Sequence, residues 1–450
     1  MDTEADALSW DELDARPLPS WYSDAKFGIF IHWGVFSVPA WRTVNDELFG
    51  SYAEWYYASV YGSYKNLDGD FHARNYGAST SYRDLAQDFR AELFDPQQWA
   101  ELFAAAGAKY VVLTAKHHDG YCLWPTRNPH KRGWNSGDVG PERDLLGEIT
   151  GAVRATGLRM GLYYSIPEWE THRSHRVDGG YFIPEPDAAA HGMDPEAYPS
   201  EVLWPQWKEL NETYEPSVIF TDGGEWDFGE DYTRTRELLS WLYRESPNGD
   251  EVVVNDRIHR GMPGAHGDIY STEYEDIAGF GEDHAWEESR GIGKSYGYNR
   301  AEQLDDHLTA EEIIELLVRT VAGGGNLLLN VGPTADGRIP LLQQERLREV
   351  GRWLDTFGEG IFGTRPANEL VGEDGVRLTR SESASFVFYE ADEPRALRLR
   401  GTDPIGDVDA VDLATGDTLA VERDASTRTL VIHAPATRGT SCVRVHTISR

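Results

Sequence analysis

Phe27-Gly-Ile-Phe-Ile-His32 is a short apolar run that ends on an imidazole, and runs of its kind recur along the chain. Lys109-Tyr-Val-Val-Leu-Thr114, Arg159-Met-Gly-Leu-Tyr-Tyr164, Ser217-Val-Ile-Phe220, Glu251-Val-Val-Val254, Asp268-Ile-Tyr-Ser271 and Asn326-Leu-Leu-Leu-Asn330 share its length and its β-forming bias. Such runs read as strands covered on both faces, the setting of a parallel sheet. Between them the apolar period changes to 3.6, over Pro96 to Ala106 after Asp95, Leu145 to Thr156 before Gly157, and Thr309 to Val321 before Gly323. Strands alternating with amphipathic helices predict an α/β fold, a (β/α)8-like TIM barrel rather than an open sheet, since no GxGxxG follows any strand.

After a helix predicted at Leu341 to Phe357 the texture changes. Val376-Arg-Leu-Thr379, Ser385-Phe-Val-Phe-Tyr389, Ala396-Leu-Arg-Leu399 and Thr429-Leu-Val-Ile-His433 alternate with turns, as antiparallel strands do. The expected division is a catalytic barrel over 1–365 and a C-terminal β-sandwich over 366–450, joined through Gly363-Thr-Arg-Pro366, with the sandwich serving to pack rather than to bind. The segment 171–204, rich in Pro, Asp, His and Tyr, is expected to be a long loop over the barrel mouth.

Composition narrows the function. Lys and Arg number 42 against 76 Asp and Glu, a net charge of −34 that repels phosphate backbones and anionic lipid. Nucleic-acid and membrane partners are therefore excluded as expectations. With 15 Trp and 22 Tyr the chain has the aromatic content of a folded protein, so the acid belongs to its surface. Lysine occurs only at Lys26, Lys65, Lys109, Lys116, Lys131, Lys208 and Lys294, and this acidic, lysine-poor balance resembles that of salt-adapted, haloarchaeal proteins. Met1 to Pro19 lacks the basic start and apolar run of a secretory signal, and no stretch has the apolar length of a membrane span, which predicts a cytoplasmic protein. Cys122 and Cys442 are expected to be free thiols, and the chain leaves a homo-oligomer open.

In a barrel the reacting groups follow the C-terminal strand ends. Here those ends read His32-Trp33-Gly34, Lys116-His117-His118-Asp119-Gly120, Tyr163-Tyr164-Ser165, Thr221-Asp222-Gly223-Gly224, Asn255-Asp256-Arg257 and Thr272-Glu273-Tyr274-Glu275. Polar groups interleaved with aromatic ones at six strand ends describe a pocket for a hydroxylated ring. Asp222 and Glu273 supply the pair of carboxylates that glycoside hydrolysis needs, one ionised and one protonated. A metal is not expected: His117 and His118 are neighbours on a strand and should point to opposite sides, so they could share one ion only on a bent strand end. Nor does Gly323-Gly-Gly325 form a phosphate loop, because no Lys-Ser/Thr follows. No cofactor is implied.

These strings together resemble the α-L-fucosidases of glycoside hydrolase family 29. The likeness rests on Trp21-Tyr22 with Lys26 to Gly34, Tyr110 to Gly120, Trp134-Asn-Ser to Arg143-Asp144-Leu, Gly161-Leu-Tyr-Tyr-Ser165, Asp222-Gly-Gly and Gly324-Gly-Asn-Leu-Leu-Leu-Asn-Val-Gly-Pro333, in the family's order from residue 21 to about 365. The resemblance implies a retaining exo-acting enzyme that hydrolyses terminal α-L-fucosides by double displacement, on a fucosylated oligosaccharide or glycoconjugate. Asp222 would be the nucleophile and Glu273 the acid/base, with Glu275, Glu287 and Glu54 as neighbouring carboxylates. His32, His117, His118, Tyr164 and Arg257 would hold the sugar hydroxyls or brace the nucleophile, and Glu54 and Trp55 would reach the same pocket. Phe30, Phe220 and Tyr296 would wall the C5 methyl. Phe220-Thr221 stands where relatives often carry Trp before the nucleophile, and Tyr296 where some carry Phe, which implies a wider or more polar methyl pocket. The alternatives are an exo-glycosidase for the similar ring of an α-L-galactoside and a catalytically silent fucose-binding protein.

Overall fold

The computed structural model describes residues 7–47, 50–61, 65–172, 176–177, 181–182, 191–274, 284–373, 375–401, 407–424 and 426–448. Eight parallel strands curl into one sheet: β1 (Phe27–Ile31), β2 (Tyr110–Lys116), β3 (Arg159–Ser165), β4 (Val218–Asp222), β5 (Val253–Val254), β6 (Tyr270–Glu273), β7 (Trp286–Gly291) and β8 (Asn326–Val331). Their spatial order is β5-β4-β3-β2-β1-β8-β7-β6, the chain order wrapped around a ring. The two edges meet at a single parallel bridge, Asn255 with Ile269, supported by Asp268 N donating to Val254 O at 3.0 Å. Seven of these strands lie where the apolar runs predicted them. The eighth, β7, reads Trp-Glu-Glu-Ser-Arg-Gly, a charged string with no apolar signal.

The helices that cover the sheet begin where their sequences say they should. In α1 (Pro96–Ala105) Asp95 caps by accepting from Gln98 N, and Pro96 takes the first position, where its missing N–H costs nothing. Asp144 caps α2 (Leu145–Ala155) through Gly147 N, and Thr309 forms a capping box with Glu312 at the start of α5 (Ala310–Ala322). Between these run α3 (Trp204–Tyr214) and α4 (Thr235–Glu245), and α6 (Leu341–Phe357) follows.

Strand alternation sorts the residues of the sheet into two cores. Phe30, Tyr110, Val112, Tyr163, Val218, Phe220 and Leu328 fill the inside, whereas Ile29, Ile31, Val111, Leu113, Leu162, Tyr164, Ile219, Leu327 and Leu329 pack outward on the helices. Beyond α6 come two antiparallel sheets. One joins β9 (Arg365–Pro366), β11 (Arg377–Arg380), β12 (Ser385–Tyr389), β17 (Ser441–Ile448) and β14 (Asp407–Asp412), in that order. The other runs β10 (Leu370–Gly372), β13 (Arg395–Gly401), β16 (Thr429–Ala434) and β15 (Val421–Asp424). Val387, Tyr389, Leu397, Leu399, Ile432 and Val443 form a core between them. Phe386, Phe388 and Cys442 face the other way into the main core, and the Trp353 indole donates to Thr440 O at 2.7 Å. Cys122 and Cys442 are free and buried. Within 171–204 the described residues include a ribbon of Arg176–Val177 with Tyr181–Phe182 and a helical turn at Pro199–Leu203. The expected loop over the barrel mouth falls in part on residues outside those described, 173–175, 178–180 and 183–190. No helix among the described residues is long and apolar enough to cross a membrane.

Close packing inside the sheet leaves no room at Gly28, where an added Cβ would lie 2.4 Å from the Tyr110 ring, whereas nothing stands within 4 Å of the helical Gly151. Gly28→Ala should lower unfolding stability in chemical denaturation by about 2 kcal/mol. Gly151→Ala should leave it unchanged or raise it by up to about 1 kcal/mol.

Candidate active site

Asp222 is the last residue of β4 and Glu273 the last of β6, so both carboxyls leave the sheet at its C-terminal end. Arg257, just beyond β5, stands between them in sequence and in space. Its Nη1 donates to Glu273 Oε2 at 3.2 Å and its Nε to Ser271 Oγ at 2.9 Å, and its charge acts on Asp222 as well. The side chains of Asp222 and Glu273 retain 25% and 21% of their exposure, which marks an open-mouthed pocket rather than a sealed core.

The two carboxyls have opposite electrostatics. Burial alone would raise Asp222, but hydrogen bonding and charge from His118, the charge of Arg257 and the Tyr163 hydroxyl outweigh it and bring its pKa down to about 2. The contacts are short: Tyr163 Oη donates to Asp222 Oδ2 at 2.7 Å, and His118 Nε2 lies 3.4 Å from the same oxygen. Burial also raises Glu273, and there the charge of Arg257 and the 2.7 Å bond from Tyr52 Oη fail to cancel it, while Asp222 and Glu225 push in the same direction as burial. Glu273 therefore stays above the usual carboxylate range.

Histidines line the pocket. His32 Nδ1 lies 2.8 Å from Asn330 Oδ1, and burial lowers its pKa to about 3, so the ring is neutral at ordinary pH. Burial also holds His117 well below its ordinary value. The expectation that His117 and His118 face opposite sides fails. Register shifts between Thr114 and Lys116 and the strand then ends, which turns both rings inward with centroids 4.5 Å apart. His117 stacks on Tyr163 at 5.6 Å, and His118 Nδ1 sits 2.6 Å from Ser165 Oγ. Among the described residues no cluster of His, Cys, Asp or Glu forms a metal site.

Phe30, Phe220 and Tyr296 meet below, with ring centroids of Phe30 at 5.1 Å from Phe220 and 6.2 Å from Tyr296. The Tyr296 hydroxyl is already engaged, 2.9 Å from Ser289 Oγ, so it adds less polarity to the wall than its presence suggests. Glu54 is buried and accepts at Oε2 from Ser295 Oγ and Gly297 N, both at 2.9 Å, and burial raises its pKa to about 7. Trp55 packs edge-on to His118 and Trp169. Glu54 Oε1 and His117 Nδ1 are buried without a hydrogen-bond partner, and such atoms in a pocket are natural contacts for ligand hydroxyls.

One expected residue is misplaced. Tyr164 points outward, donates to Gln206 Oε1 at 2.9 Å and carries the Lys116 ammonium over its ring at 4.0 Å. Its neighbour Tyr163 is the one that reaches Asp222. The register could have revealed this, since Ser165 pairs with Asp222 and alternation puts 163 and 165 on the same side. Tyr52, Trp169 and Asn330 were also missed. Of the neighbouring carboxylates, Glu287 lies at the far end of the barrel interior, where it accepts from Tyr22 and Tyr110, and Glu275 lies outside the described residues.

Comparison with known proteins agrees with this geometry. The family model described as Alpha-L-fucosidase matches residues 2–359. The human tissue alpha-L-fucosidase is 44% identical over 358 residues, 79% of this chain and 72% of that protein. The alpha-L-fucosidase of Dictyostelium discoideum is 41% identical over 410 residues, 88% of this chain and 83% of the relative. Among solved structures, Thermotoga maritima alpha-fucosidase in complex with a mechanism-based inhibitor superposes with a TM-score of 0.81 at 36% identity, covering 97% of this chain and 99% of that one. With the paired carboxyls at the C-terminal ends of β4 and β6, joined through Arg257, and more than three quarters of its length matched, the chain belongs to the α-L-fucosidase family, glycoside hydrolase family 29.

Proposed function

We propose that Asp222 is the nucleophile and Glu273 the acid/base of a retaining α-L-fucosidase acting on terminal fucose. The single observation that carries the assignment is the split between two carboxyls around one guanidinium, Asp222 brought down to about 2 and Glu273 pushed up. Asp222 attacks the anomeric carbon while the bond to the aglycone oxygen breaks, and Glu273 gives that oxygen its proton. The resulting fucosyl ester is opened by water, whose proton passes to Glu273 as its oxygen bonds the anomeric carbon and Asp222 leaves as carboxylate. Tyr163 and His118 stabilise that leaving carboxylate, and Arg257 stabilises Glu273 while it is charged. His32, His117, Glu54 and Trp55 hold the sugar, and Phe30, Phe220 and Tyr296 enclose its methyl. The substrate is a fucosylated oligosaccharide or glycoconjugate. Residues 1–365 form the catalytic unit, and 366–450 pack against it.

The carboxylate-rich composition also supports a salt-adapted enzyme, because at −34 the folded chain repels itself until salt screens it.

Asp222→Gly should lower turnover of nitrophenyl α-L-fucoside by at least about 10³-fold without unfolding. Azide should restore rate to Glu273→Ala, and rescue at Glu54→Ala instead would move the acid/base. In the pH profile, activity requires Asp222 charged and Glu273 protonated. The rate should therefore persist far to the acid side of neutrality and fall as pH rises through the elevated Glu273 value, a limb that Glu273→Ala abolishes. Tyr163→Phe removes a bond that lowers the Asp222 pKa, so its acid limb should move to higher pH and kcat/KM should drop about tenfold or more. Tyr164→Phe should leave that limb in place. Circular dichroism should show the fold lost in low salt and regained in multimolar KCl, and full stability without salt would refute the adaptation.

A further inference from the structure

We propose a second binding site, for a small anion carried on a polar body, at the end of the barrel opposite Asp222 and Glu273. A cavity of about 330 Å³ lies there, lined by Tyr22, Lys26, His284, Trp286, Arg365 and Arg380 with their neighbours. Lys26 immediately precedes β1 and Trp286 opens β7, so this part of the wall lies at the N-terminal strand ends. Arg365 and Arg380 come from β9 and β11, so the cavity is completed by the C-terminal sheets.

Lys26 carries the inference. It is 2% exposed, yet its ammonium has no hydrogen bond or ion pair among the described residues. The ammonium is nearly enclosed but still reaches solvent at the cavity, where an anion would gain more from it than in open water. Its backbone is also in the left-handed region, φ 60°, where a lysine is strained and glycine is favoured. Among the described residues no carboxylate is ion-paired with this ammonium, although the charge of Asp24 acts on it, and the cavity it faces has room for a further anion. The neighbouring guanidiniums add to the positive field. Arg365 pairs with Asp24 at 2.8 Å and Arg380 with Glu369 at 3.5 Å, but these pairs are half exposed and solvent-screened. Burial and the charge of Arg365 lower the Lys26 pKa to about 8, against the pull of Asp24, which leaves the group charged at neutral pH.

The rest of the wall defines the ligand's body. Trp286 is buried at the cavity wall, and His284 lies stacked on Tyr270 with ring centroids 3.7 Å apart. The volume is at the lower end of the range for small-molecule sites, about 300 to 1,000 Å³. A phosphate or carboxylate on a small polar molecule fits this wall, in contrast to the neutral hydroxyls suited to the catalytic pocket.

The test is thermal unfolding of the full chain at fixed pH and constant KCl, titrated with inorganic phosphate and, separately, with citrate at millimolar concentration. Phosphate or citrate should raise the midpoint saturably by about 2 °C or more in the parent protein. The more effective of the two distinguishes a phosphate from a carboxylate head. Lys26→Met should abolish the rise, and Arg380→Gln should move half-saturation to about tenfold higher concentration. Absence of a saturable rise with both anions, or an equal rise in Lys26→Met, overturns the site. Should Lys26→Met not fold, Arg380→Gln decides alone, and an unchanged half-saturation overturns the proposal.

Discussion

The catalytic constellation depends on how the barrel closes. Between β5 and β6 the sheet has only the Asn255–Ile269 bridge, and side chains do the work that a longer ladder does elsewhere. Asn255 Oδ1 accepts from both Thr221 N and Thr221 Oγ1 at 2.7 Å, and its Nδ2 donates to Thr221 O at 3.0 Å, which clamps the residue just before Asp222. Asp256 Oδ1 accepts from Ser271 N and Oγ, at 3.0 and 2.8 Å, two residues before Glu273. The next residue, Arg257, bonds Ser271 and Glu273 in turn. Three consecutive residues, Asn255-Asp256-Arg257, therefore fix both carboxyls relative to one another. The short β5 leaves these side chains at the seam, where a longer strand would have engaged them in regular pairing.

This placement also explains why one arginine does not equalise the two carboxyls. Glu273 has Arg257 and the neutral Tyr52 as partners, whereas Asp222 adds His118 and Tyr163 to the field of Arg257. The two carboxyls are similarly shielded, at 25% and 21% exposure, so the difference lies in the number of donors, and the group with more of them is the one that stays ionised. His32 and His117, stripped of charge by burial, do not disturb that balance and remain available as hydrogen-bonding groups.

Much of this was legible before the structure. Seven of eight barrel strands announced themselves as apolar runs, and the 3.6 period placed three helices from Pro96, Leu145 and Thr309, within a residue of their starts. Polar residues after the strands located the pocket, because parallel strands all deliver their C-terminal ends to the same side. What failed did so for physical reasons. Strand β7 carries Glu287, Glu288 and Arg290, and apolar patterning cannot detect a strand whose inward glutamate is bonded by two tyrosines and whose outward one is paired to Arg290 at 2.7 Å and bonded by Thr272. Tyr164 was chosen over Tyr163 because a pair of tyrosines looks alike until strand parity is counted from Asp222. The tandem histidines misled in the opposite way, since alternation was applied where an irregular strand end no longer obeys it.

The same parity rule makes the barrel interior a layered object. Near the C-terminal ends it is polar and open; at mid-depth Phe30, Phe220 and Tyr163 exclude water; at the base Tyr22 and Tyr110 close on Glu287. Burial raises Glu287 to about 7 despite both hydroxyls. It can therefore sit there with a proton at little electrostatic cost, as Lys26 cannot, because that ammonium remains charged at neutral pH. The two groups near this end of the barrel thus differ: the carboxyl can be neutralised by protonation, and the ammonium stays charged beside the cavity it lines.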